Sequence, residues 1–480
     1  MTISPLMAID LLERAFYDNN MNTHSVEQVS TSIKERFKAS WFASERLHKP
    51  RWMVEEFSLP RRDLLSLVDQ FPDAWLFSNV GGSRLGIGVA QRWTYSGPDA
   101  WPEWKRQWAA LIAEEQLDPR LQVAGGVAFS LEETASRAPW TTFPRMSWTL
   151  PAVLVETGTE NLKATIVARV DASLPLEPVV TYYQSLVERI GKPPALAVSV
   201  NSTLIESHST PNHEAWCRLV ESAVSTIRSR ALSKVVLARA LATRFTEPIS
   251  VSQVLDHLVH ANPEAQVFAL RMQSKTFLGA TPELLLSAQG KDVFTMALAG
   301  SAPRGATPHL DHVLAQNLLT HQKNVAEHAA VKNHILGVMA RSSTVIKAPA
   351  RPSIKRLPTV QHLYTPITAQ LLAEHTVWDL AEALAPTPAV GGHPASAAVD
   401  WILDHEPFDR GWYAGIVGHV DLTGNGTLLV ALRSALVDGS EATLFGGCGI
   451  MAESRPEEEW KESQWKIQSM LQAMGVEEWL

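Results

Sequence analysis

The spacing of hydrophobic positions changes character near residue 212. Residues 22–211 carry short apolar or alternating runs bounded by turn residues, a pattern typical of strands. From residue 212 onward, long runs with helical spacing, beginning with HEAWCRLVESAVSTIRSRALS, alternate with strand-like runs such as KVVLARALATRF. The predicted strands of the first part are AWLFSNVGG, LGIGVAQRW, QVAGGVAFS, MSWTLPAVLVETG, ATIVARV and ALAVSV. The pattern predicts an α+β protein with a strand-rich first half.

Near the C-terminus the pattern predicts three consecutive antiparallel strands and a closing helix. GTLLVALRSAL and EATLFGGCGI are β-rich runs separated by turn residues 437–440, and an earlier turn at 421–426 follows WYAGIVGHV. The last segment, PEEEWKESQWKIQSMLQAM, has Pro456 and three acids in its first turn, followed by apolar residues at helical spacing.

The chain shows neither an internal repeat nor a Ser/Gly-rich or Pro-rich linker. We therefore expect residues 22–211 and residues 212–480 to form one structural body. Residues 1–21 contain further possible start sites at Met7 and Met21, so this segment is predicted to be either a disordered extension or an over-called part of the reading frame, without a function.

Composition narrows the classes of partner. The 480 residues carry 42 Lys and Arg against 50 Asp and Glu, a net charge of −8, and no basic run, so we expect no nucleic-acid partner. No apolar window approaches the roughly 18 residues of a membrane span, and the N-terminus is not typical of a secretory signal. The chain has two cysteines, Cys217 and Cys448, which are too few to stabilise a protein of this size by disulfide bonds. This favours a location in the reducing cytoplasm.

The closing helix carries the most informative polar residues. Glu459, Glu462 and Lys466 lie at i, i+3 and i+7, so they share one face beside the apolar stripe. Two acids in that position repel one another unless a cation joins them, and oxygen ligands suit Mg²⁺ or Ca²⁺. The alternative interpretation is a solvated acidic first turn that the helix dipole favours.

Three other residues have both a structural and a catalytic interpretation. Lys234 either guards the end of an apolar strand or is a buried amine with a lowered pKa that acts as a general base. Glu283 follows Pro282 and either begins an element or is a buried general acid with a raised pKa. Glu327, in the middle of the predicted helix LDHVLAQNLLTHQKNVAEHAAVKNHILGVMA, is either a surface acid or an oxygen ligand.

Two further features point towards a ligand, while several familiar motifs do not apply. Arg433 is predicted on a strand, where it forms either an internal ion pair or a site for a carboxylate. Gly447 and Gly449 either admit a ligand close to the backbone or mark a bulge. The glycines of GGSRLGIG precede no predicted helix, so this string does not indicate a dinucleotide-binding loop. His257 and His260 lack a third zinc ligand, so they do not indicate a catalytic zinc site.

Nine strings in sequence order resemble the chorismate-utilising enzyme family, and within it the isochorismate synthases. The resemblance covers about residues 212–475. The strings read SKVVLARA, FLGATPELLL, ALAGSAPRG, NVAEHAAVKNHI, VQHLYTPI, APTPAVGGHP, RGWYAGIVGHVD, VALRSA and LFGGCGIMAESRPEEEWKESQWKI. The resemblance implies a single large sandwich of two antiparallel β-sheets with helices on the outside.

The resemblance also implies roles for individual residues. Lys234 would activate water for attack at C2 of chorismate, and Glu283 would protonate the departing C4 hydroxyl. Glu327 and Glu462 would bind Mg²⁺, with Glu459 beside them. Arg433, the backbone at Gly447, and Lys466 would hold the enolpyruvyl carboxylate, while Gly300, Ser301, His362 and Tyr413 would line the pocket.

A few positions bear on which member of the family the chain resembles. Anthranilate synthases usually carry Gln in place of Lys234, and aminodeoxychorismate synthases with a nucleophilic lysine carry it in place of Ala299. RGWYAGIVGHVDLTGNG resembles isochorismate synthases of menaquinone biosynthesis. Salicylate synthase, a siderophore-pathway isochorismate synthase and a catalytically silent chorismate-binding relative remain the alternatives. The oligomeric state, monomer or homodimer, stays open.

Overall fold

Two antiparallel sheets form the framework of the protein in the computed structural model, which describes residues 26–114, 117–132, 135–192, 202–356 and 360–477. Within these ranges one sheet has 12 strands and the other has 10. The strands are β1 (Arg51–Leu59), β2 (Asp73–Asn79), β3 (Gly82–Ile87), β4 (Gln91–Tyr95), β5 (Gln122–Val127), β6 (Met146–Leu150), β7 (Val153–Thr157), β8 (Leu162–Val170), β9 (Leu204–Thr210), β10 (Lys234–Phe245), β11 (Gln266–Met272), β12 (Lys275–Thr281), β13 (Leu284–Gln289), β14 (Asp292–Pro303), β15 (Ser343–Lys347), β16 (Ser353–Arg356), β17 (Val360–Leu371), β18 (Gly392–His393), β19 (Ile416–Asp421), β20 (Gly426–Val430), β21 (Ser434–Asp438) and β22 (Glu441–Ile450).

Strands from both halves of the chain pair in both sheets. The larger sheet runs β1-β8-β7-β3-β2-β11-β12-β21-β22-β10-β18, with β9 on β10. The smaller sheet runs β15-β17-β14-β13-β20-β19-β5-β6-β4, with β16 on β17. The strand pairs β2–β11 and β5–β19 each join a strand before residue 211 to one after it. The predicted fold class, α+β with two large antiparallel sheets, is confirmed.

The larger sheet is covered on both faces. Along β2, Trp75 and Phe77 belong to a core that includes Trp148 of the smaller sheet, whereas Leu76 belongs to a second core that includes Ile190 of a helix. Successive strand residues point to opposite faces, so one face packs on the other sheet and one on helices. Such double coverage explains why a central strand such as β2 is buried along most of its length.

Most helices lie in the connections between strands, whereas the first precedes β1 and the last follows β22. They are α1 (Val26–Leu47), α2 (Ala100–Ile112), α3 (Leu176–Gly191), α4 (His213–Arg228), α5 (Val251–Ala261), α6 (Pro308–Thr320), α7 (Gln322–Ser342), α8 (Val377–Leu384), α9 (Ala395–His405) and α10 (Pro456–Ala473), with a short 3₁₀ helix at Leu65–Gln70. In the part of the chain that the structure describes, none of them is long and apolar enough to cross a membrane.

The predicted run of three antiparallel strands near the C-terminus was wrong. β19 and β20 form a hairpin in the smaller sheet, whereas β21 and β22 form one in the larger sheet. The chain passes between the sheets at residues 431–433, and Arg433 there has a φ of 49°. Arg433 is therefore on a crossover and not on a strand, because a left-handed residue interrupts the extended backbone.

Two other expectations need adjustment. The single helix predicted around Glu327 is two helices, α6 and α7, because His321 between them has an extended backbone (φ −71°, ψ 118°). The predicted extension at residues 1–21 and the predicted strand ALAVSV lie outside the described residues.

Candidate active site

A cavity of ≈ 230 Å³ is lined by every residue that was predicted from the sequence to belong to a site. Its walls come from β10, β14, β17, β22, α7, α10 and the crossover between the sheets. The predicted residues that line it are Lys234, Glu283, Gly300, Ser301, Glu327, His362, Tyr413, Arg433, Gly447, Glu459, Glu462 and Lys466. The structure therefore brings together residues that lie up to 232 positions apart, from 234 to 466.

Lys234 is the first residue of β10 and is only 4% exposed. Its Nζ donates to Glu327 Oε1 at 2.7 Å, so the candidate base and a candidate metal ligand form one ion pair across β10 and α7. Gly449 on the neighbouring strand makes room for this pair, because a Cβ at that position would lie 2.8 Å from Lys234 Cε.

Glu283 lies immediately before β13 and is almost fully buried. Its backbone is fixed on both sides, since its N–H donates to Thr281 Oγ1 and its carbonyl accepts from Val430 N–H. Burial raises the pKa of Glu283 to about 7, although the Thr387 hydroxyl that donates to Oε1 and the charge of Lys234 act in the opposite direction. A carboxyl with this pKa is protonated in about half of the molecules at neutral pH, so it can act as a proton donor.

The acids of α10 enter the cavity on one helical face, as their spacing predicts. Glu459 is buried, and Glu462 Oε1 accepts a hydrogen bond from Lys466 Nζ at 2.7 Å. Together with Glu327 they supply carboxylate oxygens to one cavity, a donor set that fits Mg²⁺ and not a soft metal. Among the described residues these three acids do not form a group whose ligand atoms all lie within 4.8 Å of one another.

Two cations, Arg433 and Lys466, also line the cavity. Lys466 Nζ also donates to the carbonyl of Gly447 at 2.8 Å. Burial lowers the pKa of Lys466, but the charges of Glu462 and Cys448 and the hydrogen bond to Glu462 together outweigh burial, so the net direction is upward. Burial lowers the pKa of Arg433, whose guanidinium lies 5.6 Å from the ring of Trp465. Two cations in one partly desolvated wall can bind a carboxylate.

His362 and Ser301 are paired across β14 and β17. Ser301 Oγ and His362 Nδ1 are 2.8 Å apart. Burial, reinforced by the positive charges of Arg433 and Lys466, lowers the pKa of His362 to about 3, so the ring is neutral at physiological pH. In the described part of the chain its Nε2 has no hydrogen-bond partner, and the residue lines the cavity. A neutral imidazole can therefore offer one polar nitrogen to a ligand.

Arg410 also lines the cavity, although no role was predicted for it from the sequence. Its guanidinium forms a buried ion pair with Glu406 and donates to the carbonyls of Val236 and Val390. Glu406 in turn accepts from the Ala238 N–H at 2.7 Å. This network holds β10 against the segment that carries Tyr413. Glu406 and Arg410 follow the end of α9, so their pairing is not the i, i+4 pairing of a helix and had no signal in the sequence.

Gly447 allows β10 and β22 to approach closely, because a Cβ there would lie 2.4 Å from the carbonyl oxygen of Leu237. We expect Gly447→Ala to lower the free energy of unfolding by about 1–3 kcal/mol, a usual cost of overpacking. Urea unfolding measures this change. The matched control is Gly337→Ala in α7, where no atom lies within 4 Å of the added Cβ. Equal stability of the two variants would contradict the close approach.

Comparisons with known proteins agree with these features. Residues 61–475 match the family model described as chorismate binding enzyme. Isochorismate synthase MenF of Bacillus subtilis is 34% identical over 383 residues, which cover 79% of this chain and 80% of the relative. The salicylate biosynthesis isochorismate synthase of Pseudomonas aeruginosa is 42% identical over 268 residues, 56% of either chain.

The fold also has a solved counterpart. MenF, the menaquinone-specific isochorismate synthase from Escherichia coli, superposes with a TM-score of 0.75 at 23% identity, covering 92% of this chain and 100% of that one. Because the family model spans most of the sequence and the relative from Bacillus subtilis is matched over most of its length, the chain belongs to the family of chorismate binding enzymes.

Proposed function

We propose that the chain is an Mg²⁺-dependent isochorismate synthase, an isomerase that interconverts chorismate and isochorismate. The observation that carries this proposal is the pair of Lys234 and Glu283, a buried amine and a buried carboxyl with a raised pKa, in the wall of one cavity. The names of the relatives from Bacillus subtilis and Pseudomonas aeruginosa support the same activity.

In the proposed reaction, a water molecule gives a proton to Lys234 as its oxygen bonds to C2 of the ring. The two ring double bonds each shift by one position, and the C4–O bond breaks. The departing hydroxyl takes the proton of Glu283 and leaves as water. One water enters and one leaves, so the net reaction is an isomerisation. The reverse reaction uses the same two groups with their roles exchanged.

The enolpyruvyl carboxylate of the substrate is proposed to lie against Arg433, Lys466 and the backbone at Gly447. Arg433 supplies a planar pair of donors, and Lys466 is held in place by Gly447 and Glu462. Gly300, Ser301, His362 and Tyr413 complete the wall around the ring. Tyr413 is held by stacking on Phe445, with ring centroids 5.1 Å apart.

Glu327 and Glu462, with Glu459 beside them, are the residues that would hold Mg²⁺. Their oxygen-only chemistry fits the ion, as described above. When bound, the ion would offset the repulsion between these acids and the ring carboxylate of chorismate. In the structure Glu327 contacts Lys234, and Glu462 contacts Lys466.

Glu462→Gln is expected to raise the Mg²⁺ concentration needed for half-maximal activity by at least about tenfold, because one charged oxygen ligand is lost. Titrating activity with Mg²⁺ measures this shift. Glu458→Gln is the matched control, since Glu458 is exposed on the same helix and pairs with Arg455. An unchanged titration in Glu462→Gln would remove Glu462 from the metal site.

The proposed pathway is menaquinone biosynthesis, which the motif RGWYAGIVGHVDLTGNG supports. Expression of the chain in a bacterium that lacks its own isochorismate synthases should restore menaquinone. Restoration of a catechol siderophore without menaquinone would favour the other pathway.

Product identification tests the proposed activity. The purified protein is incubated with chorismate, with and without Mg²⁺ and with and without ammonium, and the products are identified by NMR. Isochorismate formed only with Mg²⁺ is the expected result. Salicylate with pyruvate would make the chain a salicylate synthase, anthranilate would overturn the use of water, and the absence of turnover would favour a silent chorismate-binding relative.

A further inference from the structure

Three side chains of different chemistry meet at the surface joint between α4 and α10, outside the cavity. His213 and Cys217 are four residues apart on α4 and share one face, and Glu457 lies in the first turn of α10. His213 Nε2 is 3.0 Å from Glu457 Oε2, and Cys217 Sγ is 3.8 Å from both His213 Nε2 and Glu457 Oε1. Within the described ranges it is the one set of three potential ligands whose atoms all lie within 4.8 Å.

These separations are close to those of a tetrahedral zinc site. Zinc binds thiolate at about 2.3 Å and imidazole or carboxylate at about 2.0–2.2 Å, so neighbouring ligand atoms lie about 3.4–3.6 Å apart. The observed distances, 3.0 Å between His213 Nε2 and Glu457 Oε2 and 3.8 Å between Cys217 Sγ and His213 Nε2, differ from these by a few tenths of an ångström. Small rotations of the exposed His213 and Glu457 side chains and of the partly exposed Cys217 side chain would accommodate the ion, and water would complete the fourth position.

The surroundings favour a cation and orient the ligands. The ring of Trp460 packs edge-on against His213, with centroids 5.0 Å apart and an interplanar angle of 89°. Glu221 lies one turn beyond Cys217 on α4 and adds negative charge. Cys217 is a free thiol and is only partly exposed. The mixed nitrogen, sulfur and oxygen set selects a borderline-soft metal such as Zn²⁺ over Mg²⁺.

We propose that His213, Cys217 and Glu457 form a second cation site, of the Zn²⁺ class, that fastens the first turn of α10 to α4. The site is separate from the all-oxygen acids of the cavity, and it holds the helix two residues before Glu459. The proposal stands whether or not the chain converts chorismate, because it concerns binding of the metal alone.

Cobalt(II) tests the proposal, since a cobalt–thiolate bond gives a charge-transfer absorption that oxygen ligands do not. The full chain is titrated with Co²⁺ in excess Mg²⁺, which occupies the carboxylates of the cavity. The wild type should show the band, and Cys217→Ser should lose it. Cys448→Ala removes the only other cysteine, which lines the cavity, and should keep the band.

Calorimetric titration with Zn²⁺ provides the second readout. His213→Gln should weaken binding at least about tenfold while leaving the fold intact, because His213 is exposed. A band that survives in Cys217→Ser, a band that disappears in Cys448→Ala, or unchanged Zn²⁺ affinity in His213→Gln would overturn the assignment.

Discussion

Lys234→Ala is expected to lower kcat for isochorismate formation by about 10²–10⁴-fold, the usual contribution of a positioned general base. The physical reason is that alanine has no amine to take the proton of water at the start of β10, where Lys234 is buried against Glu327. Chorismate binding in the presence of Mg²⁺ should persist, because the carboxylate-binding residues Arg433 and Lys466 are unchanged. Steady-state kinetics and calorimetric binding measure the two quantities separately.

Lys461→Ala is the matched control for this experiment. Lys461 is an exposed lysine on α10, so its removal should change neither kcat nor binding. Normal turnover in Lys234→Ala would remove Lys234 from the mechanism. Loss of both turnover and chorismate binding would point to a structural role for the Lys234–Glu327 ion pair.

Glu283→Gln is expected to lower kcat by a similar factor, about 10²–10⁴-fold, because an amide cannot protonate the departing C4 hydroxyl. The pH profile gives the sharper test. The forward reaction needs protonated Glu283, and burial raises the pKa of this carboxyl to about 7. The value of kcat/KM for chorismate should therefore fall about tenfold per pH unit above pH 7.

The residual activity of Glu283→Gln should lack this alkaline limb, because the titrating group is gone. Glu453→Gln, at an exposed acid between β22 and α10, serves as the control and should keep the wild-type profile. An alkaline limb that survives in Glu283→Gln would assign the titration to another group and remove Glu283 as the proton donor.

Local patterns sufficed to predict much of the fold. The start of α10 is marked by Pro456 and three acids, and its packed face by apolar residues at helical spacing, so the whole signal lies within 18 residues. β10 is likewise a continuous β-rich run. The crossover at residues 431–433 has no such local signal, because the apolar pattern continues through it and does not say which sheet each side joins.

The candidate site depended on resemblance more than on pattern. The nine strings placed Lys234, Glu283, Glu327 and Glu462 in one site, and the cavity does contain all four. The pairing of Lys234 with Glu327, 93 positions away, was not predicted. The contact of Glu406 with the backbone of Ala238, 168 positions away, was also not predicted. Pairings at such separations depend on tertiary packing, which local periodicity does not encode.

The central claim is that the cavity adds water at C2 as the C4 hydroxyl departs. The most direct test is turnover of chorismate with Mg²⁺ in ¹⁸O-labelled water, with the label located by its isotope shift in ¹³C NMR of the product. We expect isochorismate whose new hydroxyl on C2 carries one ¹⁸O from the first turnover onward. Isochorismate that forms with its original, unlabelled oxygen would show that the hydroxyl migrates within the substrate, and it would contradict the account.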